Sequence, residues 1–229
     1  MREIKLLLPL ILVLFVSTSL LAQFSVGFKT VPLVPNGSQL TGTFENVTTG
    51  KDSKDYIGYS SFVNFGVDFG YSFQENVSLY TGVEFKSLGY KDIDVFEIFS
   101  LDYLEVPLFF RYSKGNKTKF FTQIGASLKI LTTANHEYRI DGVIYNDEVK
   151  DIYSSIVCVG NFGFGVIREL SDNLFLNAEW RFGYDLTQTV KKNDDVFFNS
   201  NETWNFFDTH LLQSAITIGV AYKFKSTNR

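Results

Sequence analysis

Residues 61–73 read Ser-Phe-Val-Asn-Phe-Gly-Val-Asp-Phe-Gly-Tyr-Ser-Phe. Val63, Phe65, Val67, Phe69, Tyr71 and Phe73 alternate with Phe62, Asn64, Gly66, Asp68, Gly70 and Ser72. Successive side chains of a strand point to opposite faces, so the stretch is a strand with one greasy face and one polar, glycine-rich face. Residues 174–185 split the same way, with Leu174, Leu176, Ala178, Trp180, Phe182 and Tyr184 opposing Phe175, Asn177, Glu179, Arg181, Gly183 and Asp185. Similar alternation runs through 24–33, 77–89, 100–112, 119–131 and 214–224. It is weaker through 153–167, where Gly160, Gly163 and Gly165 interrupt it. Eight strands are therefore expected.

The spacers alternate in length. Gln74-Glu75, residues 114–117 and residues 168–172 are tight turns, whereas 34–60, 90–98, 132–150 and 186–212 are long loops. Short turns at one end and long loops at the other describe an all-β, eight-stranded antiparallel up-and-down transmembrane β-barrel. Composition agrees. Of 229 residues, 45% are hydrophobic and 20% charged, with 24 Phe and 12 Tyr. Disorder is excluded, and a single Cys excludes a disulfide scaffold. The mean hydropathy of +0.03 is low for a bundle of membrane helices. A net charge of −4 gives no electrostatic case for a nucleic-acid partner.

Alternation alone does not say which face is inside. A soluble, lipocalin-like secreted barrel would turn its apolar residues inward and its charges outward. One face of this chain carries Lys29, Lys86, Arg111, Lys129, Arg181 and Lys223 with Asp68, Glu84, Glu105, Glu179 and Asp185. These charges nearly cancel, and Gly66, Gly70, Gly82, Gly125, Gly163, Gly183 and Gly219 share their face. A narrow lumen needs small residues beside long paired ones, so this face is read as the interior and its charges as a lumenal network. Phe73, Tyr112, Trp180, Tyr184, Tyr222 and Phe224 near strand ends fit interfacial girdles.

Ahead of the strands, residues 1–22 place Arg2 and Lys5 before an apolar run at 6–16 and then Ser17-Thr-Ser-Leu-Leu-Ala22. This is the order of a secretory signal peptide cleaved after Ala22, leaving residues 23–229 as the barrel. Cys158 stands alone, so no internal disulfide is expected.

The fourth expected strand contains Tyr103-Leu-Glu-Val-Pro-Leu-Phe-Phe-Arg-Tyr112, and here the chain resembles the PorT-like outer-membrane β-barrel family of Bacteroidota. The likeness continues in Gly125, in Gly160-Asn-Phe-Gly-Phe-Gly165 and in Ile216-Thr-Ile-Gly-Val-Ala-Tyr-Lys-Phe224; it is the fourth strand that is specific. The resemblance implies an outer-membrane location and, from members of the family, a link to protein secretion across that membrane. Residues 225–229 depart from the pattern by extending past the terminal aromatic. Pro107 lacks the N–H that a paired central strand requires, and a bulge is expected there.

An eight-stranded barrel is only wide enough for its own side chains, so a broad aqueous channel is not expected. No phosphate loop, paired-Cys motif or His-Glu-x-x-His is present, and no cofactor or metal is expected. His136 and His210 lie in long loops, with Asp208 beside His210 and many Ser available, as thin material for a rim enzyme acting on lipid or peptide. The four long loops sum to −7, an acidic outer rim suited to divalent cations bridging lipid phosphates or simply to solubility. Phe197, Phe198, Trp204, Phe206 and Phe207 crowd the last long loop, as a contact surface or as an extension of the last hairpin above the membrane that folds over the barrel mouth. The sequence thus reads as a non-enzymatic outer-membrane barrel, a structural or interaction component assisting secretion or envelope assembly. Its expected partners are outer-membrane lipids and an envelope or secretion protein.

Overall fold

A computed structural model describes residues 23–30, 33–46, 57–60, 64–92, 97–140, 142–191, 196–197 and 203–224. The expected signal peptide, residues 1–22, lies outside the described residues, as does Phe198. The strands are β1 (Gln23–Thr30), β2 (Leu33–Asn46), β3 (Ile57–Ser60), β4 (Phe65–Ser72), β5 (Val77–Asp92) and β6 (Glu97–Gly115). They continue with β7 (Thr118–Ile140), β8 (Val143–Glu148), β9 (Ile156–Glu169), β10 (Leu174–Asp185), β11 (Val196–Phe197) and β12 (Thr203–Lys223). A short 3₁₀ helix, Lys150–Ile152, precedes β9.

Eight of these form the wall in the order β1, β4, β5, β6, β7, β9, β10, β12. The ring closes where β1 pairs antiparallel with β12, from Ser25 opposite Lys223 to Thr30 opposite Ile218. Closure leaves the ring without an edge, the condition a sheet must meet in lipid. β2 continues β1 along β12, with Leu33 opposite Ala215, and β3 continues β4 along β5, with Ser60 opposite Leu88. Asn64 sits at the β3–β4 break, where its Oδ1 accepts from the Ser87 N–H at 2.6 Å. The β6–β7 turn depends on Gly115, whose φ of +136° favours glycine; a Cβ there would stand 2.2 Å from the Thr118 carbonyl.

The wall has two storeys of opposite polarity. In the lower one Phe28, Val67, Phe120, Ile124 and Ile218 face outward and are exposed, whereas Glu84 and Lys129 face inward with no exposure. On β7 this outward band runs from Phe120 to Ile130, ten residue steps. At about 3.3 Å per residue and the usual strand tilt, that matches the ~25 Å apolar band of outer-membrane barrels. Above it the strands run on through segments expected to be loops: β5 to Asp92, β7 to Ile140, and β12 from Thr203 upward. There most inward residues are apolar, with Leu88, Phe99, Leu101, Leu131, Ala134 and Leu211 forming one buried cluster with Tyr103, Tyr153 and Val190. The soluble-barrel polarity, the alternative for the whole chain, is realised in this storey alone, because outside lipid the outer face must be polar.

A bulge makes the change on β7. Asp102 lies opposite Thr133 and Tyr103 opposite Leu131, leaving Thr132 extra. Inward positions on β7 are Gln123, Ser127, Lys129 and Leu131 below it, and Ala134 and His136 above it. The Thr132 hydroxyl donates to the Asp102 carbonyl at 2.9 Å, and Lys150 Nζ donates to the Thr132 carbonyl at 2.7 Å. The bulge expected at Pro107 does not occur: Pro107 stays in register with Ser127. Opposite it on β5 the partner pairs lapse between Thr81↔Leu108 and Glu84↔Glu105 without a shift, and the Thr81 hydroxyl donates to the Pro107 carbonyl at 2.8 Å. A two-residue gap in the ladder thus accommodates the missing donor, and the hydroxyl serves the Pro107 carbonyl.

The face assignment has a direct check. Val67→Arg, on the lipid face, is expected to cost about 2–4 kcal/mol in denaturant unfolding from lipid vesicles. Asp68→Asn, the next residue and inward, should cost less, since Lys29 keeps Glu84 as a partner. Equal losses at the two positions would contradict this assignment of faces.

Candidate functional site: the lumen and its two ends

The lower lumen is filled by one branched ion-pair network. Glu84 on β5 is its hub: Lys29 Nζ lies 2.6 Å and Arg181 Nη1 2.7 Å from its Oε1, with Lys86 Nζ 3.4 Å from Oε2. Lys29 also pairs with Asp68. Lys86 passes on to Glu105 at 2.5 Å, which accepts from the Ser127 hydroxyl, and Asn161 in turn donates to Ser127. On the other branch Arg181 Nε donates to Glu179 at 2.7 Å, and Glu179 also accepts from Gln123 and pairs with Arg111 at 3.5 Å. Arg111 Nε donates to Gln123 Oε1 at 2.8 Å.

Two arginines are also held by rings. Arg111 is sandwiched between Tyr80 at 3.9 Å and Phe121 at 4.0 Å, and Arg181 lies 4.5 Å from Phe109. Each ring sits across the ladder from a glycine: Tyr80 from Gly70, Phe121 from Gly165, Phe109 from Gly125. A Cβ at Gly125 would stand 2.8 Å from the Phe109 ring, and one at Gly165 2.7 Å from Phe121. The glycines therefore seat the rings against the wall beneath the guanidinium groups.

Higher up, Lys129 Nζ donates to both Asp185 oxygens at 2.6 and 2.9 Å, and Asp185 accepts from the Thr189 hydroxyl at 2.6 Å. Lys129 lies 5.1 Å from the Tyr103 ring, where the charged lumen gives way to the apolar cluster. The outer mouth is closed over that cluster. Residues 149–155 and 186–191 turn inward and bond to each other, Ser154 N–H to the Thr189 carbonyl and Lys191 N–H to the Ile152 carbonyl. Tyr153 and Val190, opposite each other in this cap, are 7% and 3% exposed. Burial pushes the Tyr153 phenol well above its usual range.

All the lumenal charges singled out from the sequence except Lys223 stand in these two groups. Lys223 is corrected: it ends β12 at the short-turn mouth, half-exposed and 6.0 Å from the Phe175 ring, and makes no ion pair with the network. The described aromatics of the last long loop lie in strands. Trp204, Phe206 and Phe207 lie in β12, with Trp204 opposite Val196 on β11 and Asn46 on β2, and Phe197 lies in β11 opposite Thr203. The cap residues Val149, Ile152, Tyr153 and Val190 were not singled out from the sequence; an isolated apolar residue in a polar loop was their one signal.

The two histidines are not brought together. His136 is buried inside the outer storey, stacked on Phe99 at 4.2 Å. His210 is half-buried on β12, its Nδ1 2.7 Å from the Asp185 carbonyl and its ring against Tyr184. Among the described residues no group of three or more His, Cys, Asp or Glu could hold a metal ion.

The profile of the outer membrane protein beta-barrel domain matches residues 20–167. The chain belongs to this family. The match runs from β1 into β9, so the barrel's location is the outer membrane, in contact with its lipids. β10 and β12, which bring Glu179, Arg181 and Asp185 to the network, lie beyond it. No curated protein matches the chain. Among solved structures it is similar to OprG from Pseudomonas aeruginosa, at 12% identity over 90% of this chain and 96% of that one, TM-score 0.47. It is also similar to Ail of Yersinia pestis, at 12% identity, covering 89% and 97%, TM-score 0.41. The N-terminal β-barrel domain of P. aeruginosa OprF shares 14% identity over 89% of this chain and 99% of that one, TM-score 0.40.

Removing the hub charge is the sharpest test of the network. Glu84→Gln strands buried cations and is expected to destabilise this outer-membrane barrel by about 3–5 kcal/mol. Glu75→Gln, in the exposed β4–β5 turn, should stay within about 0.5 kcal/mol. Comparable denaturation midpoints for the two variants would mean that the network adds nothing.

Proposed function

We propose that this protein is a closed, non-enzymatic outer-membrane barrel that acts through its surfaces as a structural or interaction component of the envelope. In this reading it is exported by the signal peptide of residues 1–22 and assists secretion or envelope assembly. The observation that carries the reading is the filled interior. Ion pairs occupy the membrane storey, the apolar cluster occupies the outer one, and residues 149–155 and 186–191 fold over it. A barrel filled in this way leaves its outer storey as the working surface. The PorT-like strand around Pro107 supports a link to secretion, and the acidic loops support contact with the lipid surface through divalent cations.

The contact surface assigned to Phe197, Phe198, Trp204, Phe206 and Phe207 belongs to this reading, with Phe197 carried by β11 and Trp204, Phe206 and Phe207 by β12. Full-length protein in planar bilayers should show no open-pore conductance steps. Capture from detergent-solubilised envelope should retain an envelope or secretion component. That component should be lost when residues 193–207 are deleted, while the barrel still migrates as a heat-resistant species on an unboiled gel. Stable ion-conducting steps would sink the closed reading, and unchanged capture after the deletion would remove the hairpin from it.

A further inference from the structure

The short-turn mouth, which in such barrels faces the periplasm, is built differently from the lumen above it. Below the Tyr80–Arg111 contact the interior opens into a cavity of ≈ 70 Å³. Its wall is kept thin by small residues: Gly27 lies opposite Ala221 across the β1–β12 ladder, and a Cβ on Gly27 would come within 3.3 Å of the Ala221 Cβ. Ser25, Ser78 and Ser113 add hydroxyls, and Asn177 an amide. Lys119 and Lys223 line the same space from the ends of β7 and β12.

The charges here are paired less closely than in the network. Asp68, at the cavity roof, is engaged by Lys29, and Arg111 by Glu179. Neither Lys119 nor Lys223 is in an ion pair among the described residues. The remaining carboxylate of the lining, Glu75, stands in the exposed turn, and it and Glu169 at the end of β9 attract Lys223 without forming an ion pair with it. Two ammonium groups and several hydroxyls thus converge as donors on a recess with room for about five waters, or one tetrahedral anion, at roughly 10–15 Å³ per water. Such a donor set is matched by an acceptor-only group of negative charge.

We propose that this cavity is a binding site for a phosphate group, supplied as inorganic phosphate or by the headgroup of a phospholipid in the adjacent leaflet. The site uses residues that the network and the cap leave unused. It is independent of the function proposed above.

The test uses the full-length barrel in an uncharged, phosphate-free detergent, titrated with sodium phosphate against sodium chloride at matched ionic strength. Phosphate should raise the unfolding temperature saturably and chloride should not. Lys119→Met and Lys223→Met should each weaken phosphate binding at least about tenfold, the loss of one charge-assisted hydrogen bond. Ala221→Leu should abolish binding by filling the recess with both lysines retained; its folding is checked by heat-resistant migration on unboiled gels. In phosphatidylglycerol vesicles, a headgroup occupant would suppress inorganic phosphate binding, whereas unchanged affinity would assign the site to free phosphate. An equal shift with chloride, or an unaltered phosphate response in the lysine variants and in Ala221→Leu, overturns the proposal.

Discussion

The pairing of charges inside a narrow wall fixes much else in this molecule. Eight strands enclose a space only wide enough for side chains, and a membrane strand already carries one apolar face toward lipid. Were the inner face apolar too, a strand could slip by one residue against its neighbour at little cost. Here a one-residue slip of β5 would carry Glu84 and Lys86 into lipid, at about 2–4 kcal/mol for a basic group near the midplane. It would also leave Lys29 and Arg181 buried without their acid. Buried ion pairs are weak evidence for stability, because desolvation offsets much of their attraction. Their contribution here is register: Lys29 on β1, Glu84 on β5 and Arg181 on β10 meet only in the observed alignment of three staves.

The glycines belong to the same constraint. Lys29 lies opposite Gly219 and Gly66, Asp68 opposite Gly82, and Arg181 opposite Gly163, so long side chains find space where the facing strand has none to offer. Where the facing residue is a ring, as with Gly125 and Phe109, the glycine lets the ring lie flat and present its face to a guanidinium. Gly125 and Gly165, which take part in the resemblance to the PorT-like family, thereby gain a packing reason.

What the sequence disclosed follows from which signals are local. Period-two alternation and turn chemistry reside within ten residues, and the eight staves, the tight turns and the charged inner face were readable from them. The outer storey was not, because its pattern inverts. Beyond Leu131 an inserted Thr132 shifts the phase of β7, and a reader following one parity sees the strand dissolve where it has only turned over. Pro107 misled for a related reason: the gap that accommodates it lies in the ladder with β5, and the Thr81 hydroxyl that serves its carbonyl is 26 residues away. The position of Lys223 depends on the stagger of β12 against β1 and β10, which composition does not encode.

The two storeys are joined at Asp185. It is the last residue of β10, and its carboxylate holds Lys129 while accepting from Thr189 in the cap; its carbonyl lies 2.7 Å from His210 Nδ1 on β12. The chain leaves the wall directly after it and turns into the barrel as residues 186–191. The cap is thus tied to the lumen through one residue: withdrawing Thr189 takes one of the bonds on Asp185, and loss of Asp185 itself would strand Lys129, which has no exposure to water. A cation buried without its partner costs several kcal/mol, more than a surface loop contact returns. The salt bridge at the end of one stave thus anchors the first residues of the cap, and the β7–β8 and β11–β12 hairpins above it lack that anchor.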